Sequence, residues 1–527
     1  MDGSIPEPLT PAKGSTQTGP GAAEGRGRCV VIGAGFGGIA AALRMRTKGY
    51  SVTLVDRAPK LGGRAQVFER DGFRHDAGPT VITAPFLFDE LFELFGKKRE
   101  DYVEFVPLSP WYRFYYQDGT TFDYGGTVED TLEEIRKISP EDVEGYQELL
   151  KQSEKLFDAG FTALADKPFD KLGTMLQQVP TLAKLRADRT VWGLVTTYLK
   201  HPKIQEAFSI QPLLVGGSPF DTTSIYGLIH YLERRWGVFF AMGGTGAIVE
   251  GLGKLMAEEG IEVRLETTVR DVVVTGKRAT GVVLDTGEQI ASDIVVSNAD
   301  PMHLYRKMVP ERKLAPSTRA KRKSRLSMGL YVLYFGTRET YPDVAHHTIW
   351  LGSRYKDLLD DIFHRKMLAE DFSLYLHRPT ATDPSFAPEG CESFYVLCPV
   401  PNQSANIDWS VEGPALRERI IAALSRTLLP GLKETICSDF YMTPDDFADD
   451  YLSYQGAGFS IAPHFTQSAW FRFHNRSESV ENLFLVGAGT HPGAGMPGVI
   501  CSAKVIENIV PDPAVAKMDR ERALGAA

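Results

Sequence analysis

From Cys29 to Asp56 the chain changes character three times: an apolar run, CVVI, then glycines and alanines, then AALRMR and a second β-branched run, SVTLVD. Short apolar runs bounded by glycine predict buried strands. The small-residue stretch between them predicts a helix, so the segment reads as a βαβ unit. Residues 261–298 alternate apolar and polar positions around a turn at Asp285-Thr286-Gly287, which predicts further strands. A third βα pattern, NLFLVGAGTHPGAGMPGVICSAKVIENIV, begins at Asn482. Between these pieces lie residues 127–236, helical in period, and residues 305–480, mixed in character. The expected organisation is therefore a leader at 1–27, a first strand–helix piece at 28–126, the helix-rich insert 127–236, a second piece at 237–304, the mixed insert 305–480, a third piece at 481–510 and a tail at 511–527. Phe88, Leu91, Phe92 and Phe95 fall on one stripe of a helix and are expected to be buried.

Composition narrows the classes. With 43% hydrophobic and 24% charged residues the chain has material for a large core. A net charge of −9 gives no basic footprint, which sets nucleic acid aside as a partner. The five cysteines (Cys29, Cys391, Cys398, Cys437, Cys501) are odd in number and scattered, with no CxxC pair; they read as reduced thiols, and no metal site is expected. The leader is rich in Gly, Pro, Ser and Thr and lacks an apolar signal region, so it reads as disordered and the protein as cytoplasmic. The long stretch without Asp, Glu, Lys or Arg, residues 482–503, is interrupted by Gly and Pro, so no spanning helix is expected.

The chemistry concentrates in glycine-rich turns. Gly33-Ala34-Gly35-Phe36-Gly37-Gly38 follows the first strand and opens the helix, as the dinucleotide fingerprint requires. Gly33 permits a tight turn, Gly35 lets backbone approach a pyrophosphate, Gly38 lets helix and strand pack closely, and the helix start faces the phosphate charge. Asp56 ends the next strand, where a carboxylate accepts hydrogen bonds from a ribose diol. Leu61-Gly62-Gly63-Arg64 follows, with Arg64 a candidate to neutralise the pyrophosphate against the alternative of an exposed charge after a turn. Near the other end, the glycines from Gly487 through Gly489 to Gly498 precede an apolar helix, with Met496, Pro497, Gly498 and Val499 at its start; that start would face charge developing on a bound ring. Val269 completes the candidate cofactor set.

The segments VIGAGFGGIAAALRM, LGGRAQVFERDGFRHDAGPTVITAP, SIQPLLVGGSPFDTTSIYGLIHYLERRWGVFFAMGGTGAIVEGL, EDFSLYLHRPTATDPSFAPEGC, TQSAWFRFHNR and NLFLVGAGTHPGAGMPGVICSAKV together make the chain resemble the bacterial and fungal phytoene desaturase family, from Cys29 to about Val510. The resemblance implies an α/β fold like the amine oxidases: a Rossmann-like FAD-binding domain split in sequence, with inserted α+β substrate-binding segments. It implies FAD as cofactor and stepwise dehydrogenation of 15-cis-phytoene to neurosporene or lycopene. In such a step a hydride passes from an allylic carbon to the flavin and the neighbouring carbon loses a proton. No base is named by the sequence; His491 is the candidate, with a loop-holding role as the alternative, and His75 and Asp76 read as structural.

A forty-carbon hydrocarbon calls for a long apolar tunnel, for which Trp236, Phe239, Phe240, Phe459 and Trp470 are candidates beside their reading as core. A substrate dissolved in the bilayer implies peripheral contact with the inner membrane. Competing readings are a desaturase of a later, hydroxylated or methoxylated carotenoid, a flavin amine oxidase, and a non-catalytic prenyl-binding protein on the same fold, like the Rab GDP-dissociation inhibitors. The oligomeric state is left open.

Overall fold

The computed structural model describes residues 27–525, so the leader expected at 1–27 lies outside the described residues except for Gly27. Strand Arg28–Ile32 is flanked in parallel by Ser51–Val55 and Ile294–Ser297; Glu262–Arg264 extends one edge and Leu483–Leu485 the other. One parallel sheet thus draws its strands from widely separated parts of the chain. Its strands read as nearly continuous apolar runs because helices cover both faces.

Helix Phe36–Thr47 is buried from Phe36 to Met45, which explains its run of alanines. It packs against helix Met496–Glu507 near the C-terminus. A side chain at Gly38 would place its Cβ 1.8 Å from the Gly33 carbonyl oxygen, so only glycine lets the helix pass this close to the turn that starts it.

Arg44 sits in this buried helix and is 2% exposed. Its guanidinium pairs with Glu90 at 2.8 Å and Glu507 at 2.6 Å, and Lys504 joins Glu90 at 2.8 Å. Three helices are thereby tied together: Phe36–Thr47, Phe86–Glu93 and Met496–Glu507. In the second of these Phe88, Leu91 and Phe92 are buried, and Phe95 packs just beyond its end, half-buried against the same core.

The second layer is a seven-stranded sheet in the order Ile436–Met442, Gly329–Thr337, Glu392–Val400, Leu374–His377, His347–Trp350, Tyr112–Tyr115, Thr121–Tyr124. All neighbours are antiparallel except His347–Trp350 with Tyr112–Tyr115. The hairpin Tyr112–Tyr124 thus belongs to the substrate-side sheet, although the sequence pattern put it with the first strand–helix piece. Its inward aromatics, Tyr112, Phe114, Phe122 and Tyr124, need the cover of the helix-rich insert and find it against Tyr146 and Phe208. The Asp285–Gly287 turn joins strands Arg278–Leu284 and Gln289–Ala291, with Gly287 at φ +88°. Among the described residues no helix is long and apolar enough to cross a membrane. No cysteine there is in a disulfide.

Replacing Arg44 with methionine keeps the apolar stem and removes the charge shared by Glu90 and Glu507. The expected loss is about 3 kcal/mol of folding stability, because one partner of a largely buried ion cluster is gone. Urea unfolding measures it; an unchanged midpoint would show that the cluster contributes nothing.

Candidate active site

A cavity of about 640 Å³ runs from the glycine turn to an apolar chamber under the seven-stranded sheet. At the turn, Gly33 has φ +92° and donates its N–H to the Val55 carbonyl at 2.8 Å. The Gly62 N–H donates to the Ala34 carbonyl at 2.8 Å, and a Cβ on Gly63 would stand 3.2 Å from the Gly35 Cα. The two glycine pairs are therefore laid one on the other, leaving backbone as the cavity wall. The Asp56 carboxylate is held by the N–H groups of Ala34 at 2.5 Å and Ala58 at 2.8 Å. Gly33, Gly35, Asp56, Gly63, Arg64 and Val269 all line the cavity, whereas Gly38 stands behind the turn in packing contact.

Arg64 is not an exposed charge. It is half-buried, desolvation lowers its pKa, and it donates to the Gly458 carbonyl at 2.8 Å and to the Ser453 hydroxyl. The arginine therefore joins the glycine-lined end of the cavity to residues 453–458 of the mixed insert.

Gly489, Met496, Pro497, Gly498 and Val499 also line the cavity, with Pro497 in the first turn of helix Met496–Glu507. A Cβ at Gly489 would meet Pro301 Cδ at 2.3 Å, and one at Gly498 would meet the Gly493 carbonyl oxygen at 2.6 Å. Gly498→Ala, a small change on paper, thus collides with backbone and must displace the loop.

His491 is buried in this loop, where its Nε2 lies 3.2 Å from the Leu164 carbonyl and its ring 4.7 Å from Phe169. Burial pushes its pKa down to about 4, so the imidazole is neutral and a weak base. Its hydrogen bond fits the loop-holding role. Sequence reasoning missed the residue that holds the loop most firmly: Arg472, 1% exposed, donates to the carbonyls of Thr490 at 3.0 Å, Ala488 at 2.5 Å and Ile461 at 3.2 Å. Asn475 adds a bond to the His491 carbonyl at 2.8 Å. An arginine and an asparagine among the aromatics of FRFHNR were the available signal.

Two more residues were missed. Asn298, just past strand Ile294–Ser297, presents its amide to Gly35, Gly37 and Gly487, each of which would put a Cβ within 3.0 Å of it. Polar residues at the carboxyl ends of parallel strands are where such sheets bind ligands, and that position was its signal. Glu233 lines the chamber fully buried; Tyr112 donates to its Oε1 at 2.9 Å, and its Oε2 has no partner. Burial pushes this carboxyl up to about 7.

Of the expected tunnel aromatics only Phe459 lines the cavity. Trp236 packs on Phe86 and Phe157, Phe240 on His346 and Phe386, and Trp470 on Phe471 and His474, while Phe239 pairs with Pro107 in a two-stranded sheet. The wall is built instead from the face of the large sheet. Val332, Leu397, Tyr375 and Ile349 occupy successive paired positions across four strands, and all four line the chamber. His75 and Asp76 are structural: Asp76 accepts from the Thr245 N–H at 2.9 Å and hydroxyl at 2.8 Å, and His75 Nδ1 meets the Ser393 hydroxyl at 2.9 Å.

A glycine cradle that any Cβ would fill, opening onto a carboxylate-tipped strand end, fits a dinucleotide of the FAD type. The family described as flavin containing amine oxidoreductase matches residues 36–505. An oxidoreductase structure from Methanosarcina mazei has the same fold, with a TM-score of 0.62 at 15% identity, covering 91% of this chain and all of that one. The protein is an FAD-dependent oxidoreductase of the amine-oxidase-like class. Two relatives sharpen this. A lycopene-forming phytoene desaturase of Pantoea ananas is 48% identical, covering 91% of this chain and 98% of its own. A neurosporene-forming phytoene desaturase of Rhodobacter capsulatus is 44% identical, covering 93% and 95%. The chain belongs to the phytoene desaturases of the carotenoid desaturase family.

Gly35→Val puts two methyl groups into the cradle beside Asn298 and Gly62. The variant is expected to fold and to bind FAD roughly 100-fold or more weakly, by loss of the close backbone approach. Flavin titration by fluorescence quenching decides; wild-type affinity would remove Gly35 from the cofactor site.

Proposed function

We propose that the protein desaturates 15-cis-phytoene stepwise to neurosporene or lycopene. The observation that carries this reading is one cavity with a glycine cradle at one end and a long apolar chamber at the other. Gly33, Gly35, Asp56, Gly63, Arg64 and Val269 would hold the nucleotide part of FAD in a Rossmann-like site, with Gly38 packing the turn behind them. Gly489, Met496, Pro497, Gly498 and Val499 would line the part of the site that takes its ring. The chemistry FAD supplies when bound is acceptance of a hydride from the allylic carbon.

The chain does the rest. The row Val332, Leu397, Tyr375 and Ile349 gives the hydrocarbon a flat, water-excluding wall and fixes which carbon pair is presented. The cation left on the polyene is delocalised, so a modest base suffices to take the neighbouring proton. Glu233 is that base: a buried carboxyl raised to about 7, with one oxygen free of partners, is ionised in part at neutral pH and strengthened as an acceptor by its surroundings. Arg472 and His491 keep the ring-facing loop in place. The wall hydroxyls of Tyr355 and Tyr375 are taken up by Ser209 at 2.9 Å and by Thr80 at 2.6 Å, so neither is left to hold an oxygenated carotenoid.

Helix Leu172–Lys184 connects the chamber to the outside. Met175, Gln178 and Leu182 line the cavity, while Leu172, Leu176 and Val179, at spacings of four and three residues, are 50%, 60% and 47% exposed. An apolar stripe facing outward over an apolar chamber suits a helix lying in the interfacial region of the cytoplasmic membrane, admitting substrate from the bilayer.

Incubation of purified protein with FAD and phytoene-loaded liposomes is expected to give neurosporene or lycopene without any nicotinamide. Turnover should rise with pH through about 7, as the Glu233 carboxyl ionises. Glu233→Gln should lower kcat about 100-fold and flatten that limb. An unaltered pH profile in the variant would exclude Glu233 as the base, and absence of product from the wild type would sink the substrate assignment.

Leu176→Glu is expected to reduce flotation with anionic liposomes severalfold while leaving flavin binding unchanged. Equal flotation would place the membrane contact elsewhere.

A further inference from the structure

No metal was expected from the cysteine and histidine spacing, yet the large sheet gathers three histidines that do not line the cavity. His347 and His377 face each other across the antiparallel pair His347–Trp350 and Leu374–His377, and His346 precedes the first of them. His346 is 6% exposed and the other two are fully buried. Their ring centroids lie 4.6, 4.9 and 5.3 Å apart, and each ring offers a nitrogen such that the three nitrogens are within 4.8 Å of one another.

Each of the three rings has one hydrogen-bonded nitrogen. His346 Nδ1 meets the Thr382 hydroxyl at 2.6 Å, His347 Nδ1 the Tyr375 hydroxyl at 2.8 Å, and His377 Nε2 the Asp76 carboxylate at 3.4 Å. The remaining nitrogens, His346 Nε2, His347 Nε2 and His377 Nδ1, are buried and have no partner. Buried polar atoms are rarely left so, and three together are costly unless something fills the space between them. An imidazole with one nitrogen hydrogen-bonded to a hydroxyl or carboxylate and the other left unpartnered is the arrangement of metal-ligating imidazoles.

We propose that His346, His347 and His377 bind a divalent cation of the zinc class through three imidazole nitrogens, with water in the fourth position. A tetrahedral ion with bonds of about 2.0–2.1 Å needs its nitrogens roughly 3.3 Å apart, which ring rotations moving each nitrogen about an ångström supply. None of the three histidines lines the chamber, but Tyr375 does, and Asp76 holds the start of helix Gly244–Glu258 through Thr245. The ion is therefore structural: it fastens the substrate wall to the cofactor half. This assignment stands independently of the substrate and of the base.

The test uses the full-length flavin-loaded protein, stripped with a chelator, incubated with zinc chloride, desalted and assayed for metal. The wild type is expected to retain one zinc per chain and to show a raised unfolding midpoint with zinc. The double variant His347→Gln, His377→Gln should retain none above background. Thr382→Val keeps all three ligands and should bind about 10–100-fold more weakly, which decides the matter if the double variant does not fold. Cobalt substituted in the wild type should show tetrahedral ligand-field bands to the red of the flavin absorption. Zinc retention in the wild type no greater than in the double variant, or unchanged affinity in Thr382→Val, overturns the proposal.

Discussion

The close approach of helix Phe36–Thr47 to its own launching turn is the constraint on which the rest of the molecule is built. With hydrogen alone at Gly38, the helix lies against Gly33 and its N-terminal amides point along the end of the central strand. That placement aims the positive end of the helix at the cradle and leaves a slot that Gly62 and Gly63 fill from the next turn. Asn298 and Gly487 then meet the same turn from two further strands. A single carbon added at Gly38 or Gly487 would push apart the turn, Asn298 and the last strand, which come from distant stretches of chain.

The two halves of the cavity use opposite physics. At the cofactor end the wall is backbone, with polar atoms presented by glycines and fixed by Asp56, Arg64 and Arg472. At the chamber end it is a ruled surface of side chains, one per strand, set by the register of the large sheet. The chamber tolerates one carboxyl because Tyr112 holds half of it, and the desolvation of the other half is what makes Glu233 basic.

Local signals made the strand–glycine turn–helix unit readable. Gly33, Gly35 and Asp56 carry their meaning in spacing and in their place between strand and helix, and their positions follow from a pattern of some thirty residues. The chamber was not readable in the same way. Trp236, Phe240 and Trp470 are large and aromatic, but size does not tell which face of an element looks inward, and they pack into cores instead. The residues that do form the wall are ordinary strand aliphatics, recognisable only once Val332 is known to stand beside Leu397 and Ile349 beside Tyr375. Arg472 and Glu233 were hidden for a related reason: a lone charge in sequence reads as surface, and its burial is a property of the assembled fold.

The strand order of the parallel sheet bears on how the protein comes into being. Its central strands, Arg28–Ile32 and Ser51–Val55, leave the ribosome first, but the neighbours that complete the sheet are Ile294–Ser297 and, last, Leu483–Leu485, with helix Met496–Glu507 after it. Nearly the whole polypeptide must therefore be synthesised before the nucleotide site has all its walls, and the early strands wait with open edges while both inserts fold. Contacts of such sequence separation form slowly and leave apolar edges open to aggregation until the last strand and helix arrive.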